Sequence, residues 1–159
     1  MVGITALDVG FLVRELKAVE GSIVDKVFHP SKKEVLFQLH KDGKSLLKII
    51  VGQGVYLTKE KPISESTTKI SSFCMFLRKQ LKQTRLEKVT QPNLERIIEL
   101  QFTNGLKLIA ELFSKGNIIL CDANNKIITA LEKQEWKHRS IKKDEIYQYP
   151  PSTTNPFAL

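Results

Sequence analysis

The sequence predicts an α+β domain: an antiparallel β-sandwich of about eight strands with two flanking helices. Three observations predict it. Short apolar runs follow one another across tight turn signals in hairpin fashion, with no βαβ crossover spacing. Two segments, near residues 5–21 and 72–88, carry helical apolar periodicity instead. A chain of 159 residues is the size of one domain and folds with burial of roughly 68–70% of its unfolded surface.

The first helix opens at Thr5, whose fourth-position partner Asp8 stands in for the usual Glu or Gln of a capping box, and Ile4 and Val9 are spaced as a hydrophobic staple. Val9, Leu12, Val13, Leu16 and Val19 form its apolar stripe, and Gly21 supplies the stop. The β-type runs SIVDKVF, EVLFQLH, SLLKIIV and GVYLT follow. Asp42-Gly43, within KDGK, suits a two-residue hairpin turn with positive φ. Residues 59–72 are polar, contain Pro62 and lack periodicity, which reads as a mobile loop. In the second half LERIIELQFT and LKLIAELF flank Asn104-Gly105, and NIILC and KIITAL flank DANN. The chain divides into a domain over residues 1–150 and a Pro-rich linker or tail over 151–159.

With 42% hydrophobic and 26% charged residues, the composition is that of a soluble globular protein, and a net charge of +8 favours acidic partners such as nucleic acid. The N-terminus has no basic region ahead of an apolar stretch and no apolar run near 18 residues, so no export signal and no membrane partner is expected, and the location expected is cytoplasmic. Cys74 and Cys121 stand apart without metal-ligand spacing and read as small buried hydrophobes in a reducing compartment. Neither a metal nor a cofactor is expected.

The charge is concentrated. Residues 69–88 hold Lys69, Arg78, Lys79, Lys82, Arg85 and Lys88 against Glu87 alone, more than half of the chain's excess. On a helical wheel of about 100° per residue, Phe76, Leu77 and Leu81 share a sector with Phe73, whereas Arg78, Lys82 and Arg85 fall opposite, with Lys79 beside them. Lysine-rich helix faces are ordinarily solvated surface, but this density points to a phosphate-bearing polymer. The helix is expected to pack against the following strand. There Leu94, Ile98, Leu100 and Phe102 alternate inward, and Arg96 takes an inward slot that calls for an anionic partner or an open rim.

Enzyme chemistry finds no support. No GxSxG, HExxH, GxxxxGKS or GxGxxG pattern occurs, and Gly52-Gln53-Gly54 is too short to cradle a phosphate. His29 and His40 sit at strand ends and read as structural, whereas His138 belongs to a second basic stretch, EKQEWKHRSIKK. Trp136 in that stretch is of a type that stacks on unpaired bases, but covering a sheet edge is the favoured reading for it. Neither the RRM aromatic signature nor a KH GxxG loop is present, so recognition by shape and phosphate is expected over base readout.

Five ordered blocks, DVGFLVRELKAVEGSIVDKVFHP, FCMFLRKQL, QPNLERIIELQF, LIAELFSKGNIILCD and YQYPP, resemble the successive motifs of the NFACT N-terminal domain, the family also labelled fibronectin-binding protein A-like and including RqcH-type ribosome quality-control factors. The resemblance spans essentially the whole chain. It implies a fold related to the N-terminal domain of formamidopyrimidine-type DNA glycosylases. It also implies tRNA binding on large ribosomal subunits carrying stalled nascent chains, with the remaining NFACT domains of a full-length protein as further partners. The family's Asp-Arg pair, implicated in tRNA binding, falls on Glu95-Arg96, with one extra methylene in the acid. As strand neighbours they point to opposite faces, so no mutual side-chain pair is expected. The glycine usual before the YxxPP block is absent from KKDEIYQYPP, so a different turn is expected there. Glycosylase chemistry would need an N-terminal proline amine followed by glutamate, and here Val2 and Gly3 follow Met1. The expected function is a non-enzymatic RNA-binding module with contacts at Glu95, Arg96, Arg78, Lys79, Lys82 and Arg85. The alternative is a protein-interaction or adhesin-like module, as the older family label implies.

Overall fold

The computed structural model describes residues 5–58, 71–92, 95–113, 115–136 and 139–149. The expected α+β class holds, with antiparallel sheets and, among the described residues, two α-helices. Helix α1 (Ala6–Leu16) starts at the predicted capping box: Thr5 accepts from the Asp8 amide, and the Asp8 carboxylate accepts from the Thr5 amide. The Thr5 amide and the Thr5 hydroxyl both donate to the Asp8 carboxylate, which favours its ionised form and lowers its pKa. The staple residue Ile4 lies outside the described residues. A 3₁₀ turn (Lys17–Val19) ends the segment, and Gly21 follows at φ +92°.

Strands β1 (Ile23–Ser31), β2 (Glu34–His40), β3 (Lys44–Ile50) and β4 (Gly54–Thr58) form one sheet in chain order. Helix α2 (Ser72–Leu81) follows. Strands β5 (Leu86–Thr90), β6 (Ile97–Phe102), β7 (Lys107–Glu111), β8 (Ile118–Cys121) and β9 (Ile127–Ala130) form a second sheet in chain order. A small hairpin, β10 (Gln134–Trp136) with β11 (Arg139–Ile141), completes eleven strands among the described residues, three more than expected. Strand β5 was hidden because LEKVT carries two charges in five residues, while its Leu86 and Val89 are buried.

The two sheets share one core. Val35, Phe37, Leu39, Leu47 and Ile49 face Ile98, Leu100, Phe102, Leu108 and Leu120, with the Phe37 and Phe102 rings 6.4 Å apart. A register shift at Asp25 sends both Val24 and Val27 into this core, three positions apart, where strict alternation would place only one. The sheets also meet at one edge: Val24 N–H donates to Thr84 O at 2.8 Å, and Leu86 N–H donates to Ser22 O at 2.8 Å. Strand β6 is buried on both faces, because Ile97 and Glu99 point to a second cluster of Ile109, Ile119, Ile127, Ile141 and Tyr147.

Several local expectations change. His40 pairs with Lys44, so the β2–β3 hairpin has the three-residue loop Lys41–Gly43, with only Gly43 at positive φ, +140°. Helix α2 stops at Leu81. Lys82 is its C-cap, Gln83 turns at φ +68°, and Arg85 lies beyond the helix, in a bridge to Ile23. The helix packs on β1, and its buried side chains join the main core rather than lying along β6. Arg96 occupies a bend before β6 and is exposed, so it fills no inward slot, though the open rim it was expected to need is present. Asp144 adopts φ +72° shortly before the YQYPP block, a left-handed position that aspartate tolerates. The segments 59–70 and 150–159, together with Lys69, Leu94, His138 and the Trp136 side chain, lie outside the described residues.

Candidate nucleic-acid interface

Arg96 is built into a rim by two contacts. Its carbonyl accepts the Leu112 amide at 2.9 Å, which pairs the bend with the chain leaving β7. Its guanidinium lies 5.8 Å from the centroid of the Phe113 ring, a cation–π arrangement that keeps a long side chain extended while leaving its donors toward solvent. Among the described residues no ion pair joins Glu95 to Arg96, and both lie in the bend before β6, where strand alternation does not apply. Gln91 holds the bend from behind: its Nε2 donates to Glu95 O and to Ala6 O, each at 2.8 Å, tying the start of α1 to the turn. Phe113 and Gln91 were not singled out from sequence. Each lies within the matching blocks, but the contact of each to this bend is long-range or side chain to backbone and leaves no periodic trace.

The helical cations form a separate place. Arg78 and Lys82, one turn apart, line a cleft of about 290 Å³ against Val24–Phe28 of β1. Arg78 Nε donates to Val27 O at 2.8 Å, so its head is docked on the strand, and Lys82 is exposed. The bulged Asp25 also lines the cleft and accepts from Gln38 Nε2 at 2.6 Å, which reduces the local positive excess. Lys79 is exposed in the last turn, where cations complement the helix C-terminus. Arg85 donates to Gly21 O at 2.9 Å, beside Lys41, whose Nζ donates to Glu20 O at 3.0 Å.

Arg78 and Lys82 are therefore brought together, with Arg85 near the same edge, but Glu95-Arg96 is not. Thr103 bonds Arg85 through its amide and hydroxyl, and Thr103 and Arg96 stand at opposite ends of β6. Seven residues at about 3.3 Å each separate them by roughly 23 Å. The predicted set is thus two separate cationic places rather than one patch. His29, read as structural, bonds Ser71 Oγ through Nδ1 at 2.7 Å and meets Phe73 edge-on. Cys74 and Cys121 are both buried, with Cys74 Sγ donating to Val27 O at 3.4 Å, and burial pushes the Cys121 thiol up to about 12. No helix among the described residues is long and apolar enough to cross a membrane.

Comparison with known proteins supplies the frame for this geometry. The archaeal Rqc2 homolog aRqcH of Methanocaldococcus jannaschii is 34% identical over 165 residues, covering 98% of this chain and 25% of the relative. Ribosome quality control complex subunit 2 of Saccharomyces cerevisiae is 37% identical over 151 residues, covering 91% of this chain and 14% of the relative. The chain thus spans a quarter or less of the length of these relatives. Among solved structures, the N-terminal part of the fibronectin/fibrinogen-binding protein from Streptococcus suis superposes with a TM-score of 0.86 at 25% identity, covering 97% of this chain and 64% of that one. The family model described as NFACT N-terminal and middle domains matches residues 5–159, and the chain belongs to that family.

Proposed function

We propose that this chain is an RNA-binding module of a ribosome quality-control factor, that its ligand is tRNA on the large ribosomal subunit, and that it acts by binding rather than catalysis. The observation that carries the reading is Arg96. It is an exposed guanidinium seated on an aromatic ring at a sheet rim, in the position where the family's Asp-Arg pair falls. The cleft of Arg78 and Lys82 supplies a second cationic place apart from Arg96, which suits a folded polyanion whose phosphates are spread in space. The names of the two sequence relatives support the ribosomal context. Remaining NFACT domains and the ribosome are the partners this reading implies, and the cytoplasm is its location.

Phosphate contacts release counterions, so binding falls steeply with salt. The test is affinity for tRNA beside a DNA duplex of equal length and a fibronectin fragment, from low to moderate salt. The expected result is tRNA bound most tightly, with a steep salt slope. Equal affinity for RNA and DNA, no salt dependence, or binding to fibronectin in preference to tRNA would overturn the reading.

A further inference from the structure

The outer face of the second sheet buries two carboxylates to which the RNA reading gives no role. Glu111 is fully buried and Glu99 is 5% exposed, among Ile97, Ile109 and Ile119. A carboxylate in such a setting is costly unless it is hydrogen-bonded. Both are met by phenols from one short segment. Tyr147 Oη donates to Glu111 Oε2 at 2.6 Å, and Tyr149 Oη donates to Glu99 Oε2 at 3.0 Å, with Lys107 Nζ 3.6 Å from Glu99 Oε1. The segment is itself tied to the sheet: Ile127 N–H donates to Glu145 O at 2.8 Å, and Tyr147 N–H donates to Asn125 O at 2.7 Å. Its two rings meet edge-on at 5.3 Å.

The two pairs differ in what they adjoin. Glu111 is followed by Leu112, whose amide bonds Arg96 O, and by Phe113, whose ring underlies the Arg96 guanidinium and packs on the same apolar cluster as Tyr147. The backbone on the other side is equally confined, since a Cβ at Gly116 would overlap the Glu111 carbonyl. The Tyr149 hydroxyl instead bonds Glu99, within β6, and not the end of β7 that carries Leu112 and Phe113.

We propose that Tyr147 and Glu111 are positioning residues, whose buried hydrogen bond holds the end of β7 so that the Leu112 amide and the Phe113 ring seat Arg96. The purpose of that seating rests on the RNA reading, but the seating itself is measurable without RNA. The experiment is amide hydrogen exchange at Leu112 in the unaltered protein and in Tyr147→Phe, Tyr149→Phe and Glu111→Gln, with the amides of β2 and β3 as a reference for global opening. Tyr147→Phe keeps the ring and removes the hydroxyl. It should speed Leu112 exchange by about tenfold while the reference amides keep their rates. Tyr149→Phe should leave Leu112 unchanged, and Glu111→Gln, which keeps an oxygen acceptor for the hydroxyl, should leave it protected. Unchanged exchange at Leu112 in Tyr147→Phe, a rise in step with β2 and β3, an equal rise in Tyr149→Phe, or fast exchange in Glu111→Gln would each overturn the proposal. Failure of the unaltered protein to bind tRNA would remove the RNA reading and leave the exchange result to decide the seating.

Discussion

Replacing Arg96 by alanine separates binding from stability, because the side chain is exposed and its packing is confined to one ring. The Leu112–Arg96 bond uses the backbone and survives the substitution. What is lost from the fold is the contact over Phe113, worth about 0.5–1 kcal/mol at an exposed site. For a domain of this size that lowers the melting temperature by about 1–4 °C. A buried, ion-paired arginine would instead cost about 3–5 kcal/mol, or roughly 6–20 °C. If Arg96 contacts a phosphate, the lost charged hydrogen bond is worth about 1.5–3 kcal/mol, a ten- to hundredfold weakening, and the salt slope falls by about one. Thermal melting and fluorescence anisotropy with labelled tRNA at two salt concentrations measure both quantities on the same sample. A melting temperature lower by more than about 8 °C, or an unchanged affinity, would refute the argument.

Arg78 and Lys82 should behave differently although they share a cleft. Arg78→Ala breaks the bond to Val27 O and should cost about 1–2 kcal/mol of stability as well as affinity, whereas Lys82→Ala should weaken tRNA binding with the melting temperature within about 2 °C of the unaltered protein. Gly116→Ala should destabilise by about 3 kcal/mol or more, because the added carbon meets backbone that no rotamer change can relieve. Gly105→Ala, at φ +88° but in open space, should cost only about 1 kcal/mol, and denaturant unfolding of the pair checks this. Neither thiol should react with a thiol reagent faster than the protein unfolds, since both are buried and Cys121 is held protonated; rapid labelling of folded protein would count against the core as described.

Much of the fold was legible because it is local. The Thr5–Asp8 cap, the stripe of α1, the first four strands and the hairpin at Asn104-Gly105 each depend on residues a few positions apart, and the structure contains them with strand boundaries shifted by up to three residues. Where local patterning fell silent, elements were missed. The strand β5 is charged on its exposed face, and β10 and β11 are three residues each. The wheel drawn through Arg85 failed because nothing in LKQTRLE announces that Gln83 turns left-handed and that the next residues pair with Ser22–Val24.

The chain's own order of residues determined the α+β class, the positive charge gathered near α2, and the blocks that carry its family membership. Only the tertiary structure decided which cations share a place, that Arg96 rests on Phe113, and that Glu99 and Glu111 are buried beneath Tyr149 and Tyr147. The reason is separation along the chain. Caps, stripes and turns are set by neighbours within about one helical turn or one hairpin, whereas Arg96 meets Phe113 across a strand pair and Glu111 meets Tyr147 at |i−j| = 36, through strand pairing that no local period encodes.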